Sequence, residues 1–222
     1  MAVIYLVRHG QASWGKADYD DLSSQGIAQA QHLGGQLIKR IGRPDRVICG
    51  DMRRHQQTAE HALTHMGLSA EWLTDPRWNE YDHQELIIRL NPKYRNRAYM
   101  LADMARTLKP KEAFQQFFEQ ALDRWVSGAH DDDYQESWRA FCERVDDGLN
   151  GAVNSGGGTT LIFTSGGAIS ATVRRLWNMP DSEWRKINRV IANASLTKIV
   201  IGRSGLNLST FNDHGHFEGE HR

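Results

Sequence analysis

The chain has 222 residues, of which 40% are hydrophobic and 24% charged, a balance that supports a sizeable buried core and argues against a disordered or collagen-like polymer. Its 27 Lys and Arg are matched by 27 Asp and Glu, so no global field draws it to nucleic acid or to a membrane surface, and any anion binding has to be local. The two cysteines, Cys49 and Cys142, are far apart and in no CxxC spacing, which fits buried thiols in a reducing compartment better than a disulfide framework or a zinc site.

Residues 3–7 form a continuous apolar run of the kind expected for a central strand, and residues 46–49 and 160–164 form two more. Between the first two lies "LSSQGIAQAQHLGGQLIKRIG". Ser23 or Ser24 can cap a helix there, Ile27, Ala30, Leu33, Leu37, Ile38 and Ile41 recur at helical spacing, and Gly42 stops it. The pattern predicts a βαβ unit. A second helix is expected over residues 52–66 with Gly67 at its end. From 86 to 126 the pattern is purely helical, and Phe114, Phe117, Phe118, Ala121, Leu122, Trp125 and Val126 fall on one broad apolar stripe. The acidic run 131–133 leads into a further helix carrying Trp138, Phe141, Cys142, Val145 and Leu149. "NSGGG" then connects to the strand at 160, and residues 196–201 and 206–211 around "GRSG" read as a β-hairpin. The expected organisation is one domain over 1–222 with a helical insertion at about 84–133. No run approaches the ~18 apolar residues of a membrane span, and the chain opens on a strand rather than a signal-peptide pattern, so the expectation is a cytoplasmic protein with neither membrane nor nucleic acid as partner.

In such folds ligands bind beyond the carboxyl ends of the parallel strands. Arg8, His9 and Gly10 follow the first strand directly, and "CGDMRRHQQTAE" follows the second, which brings Arg53 or Arg54 to the same edge. Two guanidinium groups there make a fork for phosphate, because each can give paired hydrogen bonds and neither loses its charge. A histidine between them is a candidate nucleophile: held neutral, with one ring nitrogen donating to a backbone carbonyl, it leaves the other free to attack phosphorus.

The segments "LVRHGQA", "LSSQGIAQAQHLGGQL", "DMRRHQQTAEHAL", "WNEYDHQEL", "ESWRAFCERV" and "FNDHGHF" follow one another in an order and spacing that resembles the phosphoglycerate mutase-like branch of the histidine phosphatase superfamily. The resemblance runs over nearly the whole length. It implies an α/β three-layer sandwich, a mainly parallel mixed sheet flanked by helices, with an inserted helical lid subdomain. It also implies a phosphohistidine mechanism that uses no metal and no cofactor and acts on a small phosphorylated metabolite. His9 matches the phosphorylated histidine, Arg8 its neighbouring phosphate ligand, Arg54 the second arginine, and Glu80 the proton donor to the leaving alcohol; Arg53 then reads as a surface residue.

One position departs from that pattern. In "IFTSGGAIS" Ser165 stands where the resemblance leads one to expect a second catalytic histidine, whose donor role is of the oxyanion-hole type. A serine hydroxyl donates a hydrogen bond without charge, and losing such a donor is worth about 3 kcal/mol, or ~100-fold in rate. His83, three residues after Glu80, is the expected replacement if that stretch makes a helical turn, and Gly166 can offer its backbone N–H to phosphate. A strand, a serine and a helix in succession also invite a nucleophile-elbow reading, but the glycine two before the serine is missing and no acid–histidine pair is evident. The i, i+4 pair His61 and His65 lacks a third zinc ligand and reads as a solvated face, while His214, His216 and His221 sit in a polar tail, with His216 matching a structural position of the family. Arg89, Lys93, Arg95, Arg97, Arg106, Lys109 and Lys111 give the insertion a positive excess, which reads as a solvated face or as a contact for a second anionic group on the substrate. The expected function is phosphomonoester hydrolysis through His9. The alternatives are an impaired relative that binds phosphorylated ligands or proteins, and a phosphoglycerate mutase.

Overall fold

The computed structural model describes residues 2–13 and 20–217. β1 (Ala2–Arg8) leads to α1 (Ser24–Ile41), β2 (Arg46–Cys49) leads to α2 (Arg53–His65), and a short strand β3 (Leu73–Thr74) follows. Four helices come next: α3 (His83–Leu90), α4 (Arg97–Ala105), α5 (Pro110–Val126) and α6 (Trp138–Asn154). β4 (Thr159–Thr164) then runs into α7 (Gly166–Leu176) and α8 (Trp184–Val190), and the hairpin β5 (Leu196–Gly202) and β6 (Gly205–Asp213) completes the sheet. As the alternation predicted, this is an α/β sandwich. β3 and α8 are additions to the sequence reading, each too short to carry a hydrophobic period of its own.

The described strands form one mixed sheet in the order β3-β2-β4-β1-β5-β6, with β5 antiparallel to β1 and to β6 and the remaining pairs parallel. Its register decides where chemistry can occur. Arg8 lies opposite Thr164 and Cys49 opposite Phe163, so β1, β4 and β2 end level and the residues that follow emerge at one edge. The first of those residues stay tied to the sheet: His9 N donates to the Thr164 carbonyl at 2.9 Å and Gly50 N to the Phe163 carbonyl at 3.1 Å.

Both faces of β1 and β4 are covered, which is why these strands read as unbroken apolar runs. Ile4, Leu6 and Ile162 join a core with Trp78, Phe141 and Trp184, whereas Val7, Leu161 and Phe163 pack with Leu33, Leu37, Ala59 and Leu63 of α1 and α2. Ser23 caps α1 by accepting from Gly26 N at 3.0 Å, and Gly42, at φ +66°, ends it. α5 divides its apolar stripe in two. Ala121, Leu122 and Trp125 are buried, with the Trp125 ring 5.0 Å from Tyr81 and 5.2 Å from Trp138, while Phe114 and Phe118 are half-buried and stack on each other 6.2 Å apart. The stripe is therefore core at its carboxyl end and cavity wall at its amino end. No helix among the described residues is long and apolar enough to cross a membrane.

Two adjacent glycines in α1 test how closely α1 meets α2. A Cβ on Gly34 would lie 2.2 Å from the Ala62 carbonyl oxygen, whereas one on Gly35 would meet nothing within 4 Å. Gly35→Ala should therefore raise stability by about 0.5–1 kcal/mol, the usual helix-interior gain, while Gly34→Ala should lower it by about 1–3 kcal/mol. Urea unfolding midpoints at unchanged slope measure both, and equal signs would mean that the helices do not touch there.

Candidate active site

The site is built outward from the end of β1. His9 is buried, and its Nδ1 lies 2.7 Å from the Gly10 carbonyl, an acceptor, so the ring proton sits on Nδ1 and Nε2 keeps its lone pair. Arg54 Nε–H points at that lone pair from 3.2 Å. The turn requires glycine: a Cβ on Gly10 would fall 2.4 Å from the Gly26 carbonyl oxygen, and Gly10 N is held by Thr58 Oγ1 at 3.0 Å. Burial first, then the charges of Arg54 and Arg8 and the neighbouring His55, hold the His9 imidazole well below its ordinary pKa. His9 is neutral at pH 7.

Helical periodicity decides which arginine of the pair faces inward. α2 buries Arg54, His55, Thr58, Ala59, Ala62 and Leu63, a repeat that leaves Arg53 outside, where it pairs with Asp21 at 2.8 Å. Arg54 Nη1 pairs with Asp20, which fixes the guanidinium across the pocket. On the other side Arg8 Nη1 donates to the Ile191 carbonyl.

Glu80 approaches from the loop before α3. Its Oε2 accepts from Gly167 N at 3.0 Å and its Oε1 from Tyr81 N at 3.3 Å, and a Cβ on Gly167 would fall 2.0 Å from Oε1, so only glycine admits the carboxyl there. Burial raises the Glu80 pKa, opposed by the Gly167 hydrogen bond and by the charges of Arg54 and Arg8. Arg8, His9, Arg54, Glu80, His83 and Asn188 line the polar end of one cavity of about 550 Å³. Ile87, Ile88, Met100, Phe114 and Phe118 form its apolar wall, and Arg95 and Arg97 its far rim.

Behind the polar end lies a second histidine. His55 is fully buried, its ring centroid 5.7 Å from that of His9, and its Nε2 lies 2.6 Å from Ser165 Oγ. Arg54 Nη2 reaches the same oxygen at 3.5 Å. His55 Nδ1 has no hydrogen-bond partner and sits against Gly50, where a Cβ would come within 2.3 Å of it. Burial, then the Arg54 charge, holds the His55 pKa well below the ordinary value.

The sequence profile described as histidine phosphatase superfamily (branch 1) matches residues 4–98 and 84–214. The chain belongs to this superfamily. A curated relative named probable phosphoglycerate mutase GpmB, from Yersinia pestis (strain Pestoides F), is 38% identical over 87 residues, 36% of this chain and 38% of its own length. The protein of that name from Proteus mirabilis (strain HI4320) is 34% identical over 89 residues, 37% of this chain and 39% of its own. The matched stretch spans about two fifths of these relatives. Solved structures are similar over nearly the whole chain: phosphoserine phosphatase from Entamoeba histolytica with phosphoserine bound (TM-score 0.66, 17% identity, 98% of this chain and 100% of that one) and phosphoglycerate mutase from Bacillus anthracis str. Sterne (0.67, 21%, 97% and 94%). A putative alpha-ribazole-5'-P phosphatase from Escherichia coli K-12 also matches (0.64, 19%, 96% and 98%). At these identities the likeness is one of fold.

Within this histidine phosphatase fold, the sequence-predicted Arg8, His9, Arg54, Glu80 and His83 share the cavity, while Ser165 is enclosed behind it and Gly166 opens α7 beneath Arg8, 3.5 Å from a Cβ built on Gly166 to Arg8 Nε. His83 arrives by a different route from the one expected. No helical turn links it to Glu80; Asp82 caps α3 by accepting from Gln84 N and Glu85 N, and His83 is the first helical residue. Burial lowers its pKa. Of the basic cluster in the insertion, Arg89, Arg106 and Lys109 pair with Glu85, Asp103 and Glu112, and among the described residues neither Arg95 nor Arg97 has an ion pair. His65 Nδ1 reaches the His61 carbonyl on the helix surface, His216 Nε2 donates to the Ala194 carbonyl at 3.2 Å, and His221 lies outside the described residues. His55 and Asn188 were not foreseen. The signal for His55 was present, since it falls on the same helical face as Thr58, Ala59 and Ala62.

These charges make a measurable prediction for His9. Removing the adjacent guanidinium in Arg54→Ala should raise the His9 pKa toward the ordinary ~6.5, whereas Arg53→Ala should leave it where it is. Because His9 and His55 are both held neutral, the unfolded chain binds more protons below about pH 6.5, and stability should fall as pH drops through that value. Imidazole NMR titrations and urea unfolding at pH 7.5, 6 and 5 read these effects.

Proposed function

We propose that the chain hydrolyses phosphomonoesters through a covalent phosphohistidine on His9. The observation that carries this reading is the His9 tautomer: a neutral ring whose Nε2 carries no proton and faces Arg54 Nε–H, in a cavity shared with Arg8 and Glu80. In the first step Nε2 attacks phosphorus in line, the N–P bond forms as the ester P–O bond breaks, and Arg8 and Arg54 hold the equatorial oxygens. Glu80, which keeps its proton above the usual carboxylate range, gives it to the leaving oxygen. In the second step Glu80 takes a proton from water as the oxygen attacks phosphorus, and phosphate leaves with His9 restored.

The cavity also selects a leaving group. Its volume of about 550 Å³ is in the range that holds a drug-sized ligand, and an apolar wall beyond the phosphate end gives a small, fully polar alcohol little to bind. Arg95 and Arg97 on the rim suit a second anionic group. The substrate is accordingly a small phosphorylated metabolite with an apolar body. Buried, unpaired Cys49 and Cys142 suit the reducing cytoplasm. A binding protein without turnover is the second reading, favoured by Ser165 in place of a charged donor. A serine hydrolase is disfavoured because Ser165 is enclosed and His55 Nδ1 has no carboxylate partner.

Two experiments test the mechanism. Brief reaction with a ³²P-labelled ester, followed by quench, should trap an acid-labile, base-stable phosphoprotein that vanishes with turnover in His9→Ala; activity surviving in that variant would sink the mechanism. Glu80→Gln should cut kcat/KM for alkyl phosphates about 10²-fold or more and for 4-nitrophenyl phosphate far less, since that leaving group departs unprotonated. In the unsubstituted protein the rate should fall as pH rises through the raised Glu80 pKa, and this limb should be absent in Glu80→Gln.

A further inference from the structure

Ser165 stands where the resemblance leads one to expect a histidine, and the structure puts an unforeseen histidine against it. The side chain of Ser165 meets two groups, His55 Nε2 at 2.6 Å and Arg54 Nη2 at 3.5 Å. The direction of the shorter bond follows from the far side of the ring. His55 Nδ1 is buried against Gly50 without a partner, and a proton there would be an N–H donor with no acceptor, which is costlier than moving it to the nitrogen that faces an oxygen. On this argument the proton belongs on Nε2, which then donates to Ser165 Oγ. Arg54 can only donate as well. With two donors directed at it, Oγ acts as acceptor for both.

The same guanidinium that gives Nη2 to Ser165 Oγ gives Nε to His9 Nε2 at 3.2 Å, so the hydroxyl stands within one guanidinium of the attacking nitrogen. We propose that His55 is a positioning residue that, through the Ser165 hydroxyl, holds the Arg54 guanidinium against His9. Ser165 is fully enclosed and lies outside the cavity lining, so the pair acts on a ligand through Arg54 and not by touching it. Two side chains, one from the end of β4 and one from α2, thus share the orienting of a single guanidinium.

This inference rests on the reading of His9 as the phosphorylated residue, but its test needs no turnover. Orthovanadate, which takes up the five-coordinate geometry of phosphoryl transfer, and inorganic phosphate are the probes, measured by calorimetry on the full chain and its variants. His55→Ala and Ser165→Ala should each weaken vanadate about tenfold or more while changing phosphate affinity by less than about threefold. The double alanine variant should be no weaker than the worse single one, because the two side chains act as one unit. His55→Gln, whose amide can still donate to Ser165 Oγ, should recover most of the affinity. His55→Ala with Ser165→His should recover it too, because the vacated space admits a ring at 165. Long-range ¹H–¹⁵N spectra of the unsubstituted protein should show His55 protonated on Nε2. A proton on Nδ1, unchanged vanadate affinity in folded His55→Ala, or losses that multiply in the double variant would each overturn the proposal. Loss of the phosphoprotein with this vanadate pattern intact would instead overturn only the proposed turnover.

Discussion

Burial holds His9 uncharged between two arginines, and the other features of the site depend on that state. An imidazole in water would be partly protonated near neutral pH and would repel both guanidinium groups; here it is enclosed, hydrogen-bonded through Nδ1 to the Gly10 carbonyl, and flanked by Arg8 and Arg54. The arginines can therefore stay close to one another around a space that a phosphate dianion would fill. Their partners keep them from collapsing onto it: Asp20 takes one end of Arg54, and the Ile191 carbonyl takes one end of Arg8.

The sheet supplies the positions. Because β1, β4 and β2 end level, His9, Ser165 and the start of α2 come from three strands far apart in sequence yet emerge at one edge. A one-residue slip between β1 and β4 would send the His9 and Ser165 side chains to opposite faces, so the register is fixed by the two cores as much as by hydrogen bonds. Opposite this edge stands the segment from α3 to α5, which gives the cavity its apolar wall. One helix does both jobs there, with Trp125 anchoring α5 in the core and Phe114 and Phe118 reaching over the site. Loss of that anchor would therefore be felt in the pocket as well as in stability.

How the polar end tolerates serine at 165 is also a matter of packing. A histidine on α2 next to Arg54 occupies the room behind Ser165, and Gly50 makes that room, since any side chain there would collide with His55. Three positions in different segments, 50, 55 and 165, are thus interdependent. None of them lines the cavity, so their effect on a ligand passes through Arg54.

Much of this was legible in the residues alone. Continuous apolar runs identified β1, β2 and β4 because strands buried on both faces carry no alternation, and Ser23 and Gly42 marked α1 because caps are local chemistry. Arg8 and His9 could be picked out because they follow a buried strand directly, whereas Arg54 and Glu80 were singled out by the resemblance to the superfamily. The sequence did not determine what meets across space. That Arg54 rather than Arg53 is buried follows only from the packing of α2 on α1 and the sheet, and Glu80 and His83 share a cavity without sharing a helix. His55 beside Ser165 was invisible for the same reason: 110 residues separate them, and only the parallel pairing of β2 with β4 sets the start of α2 against the start of α7.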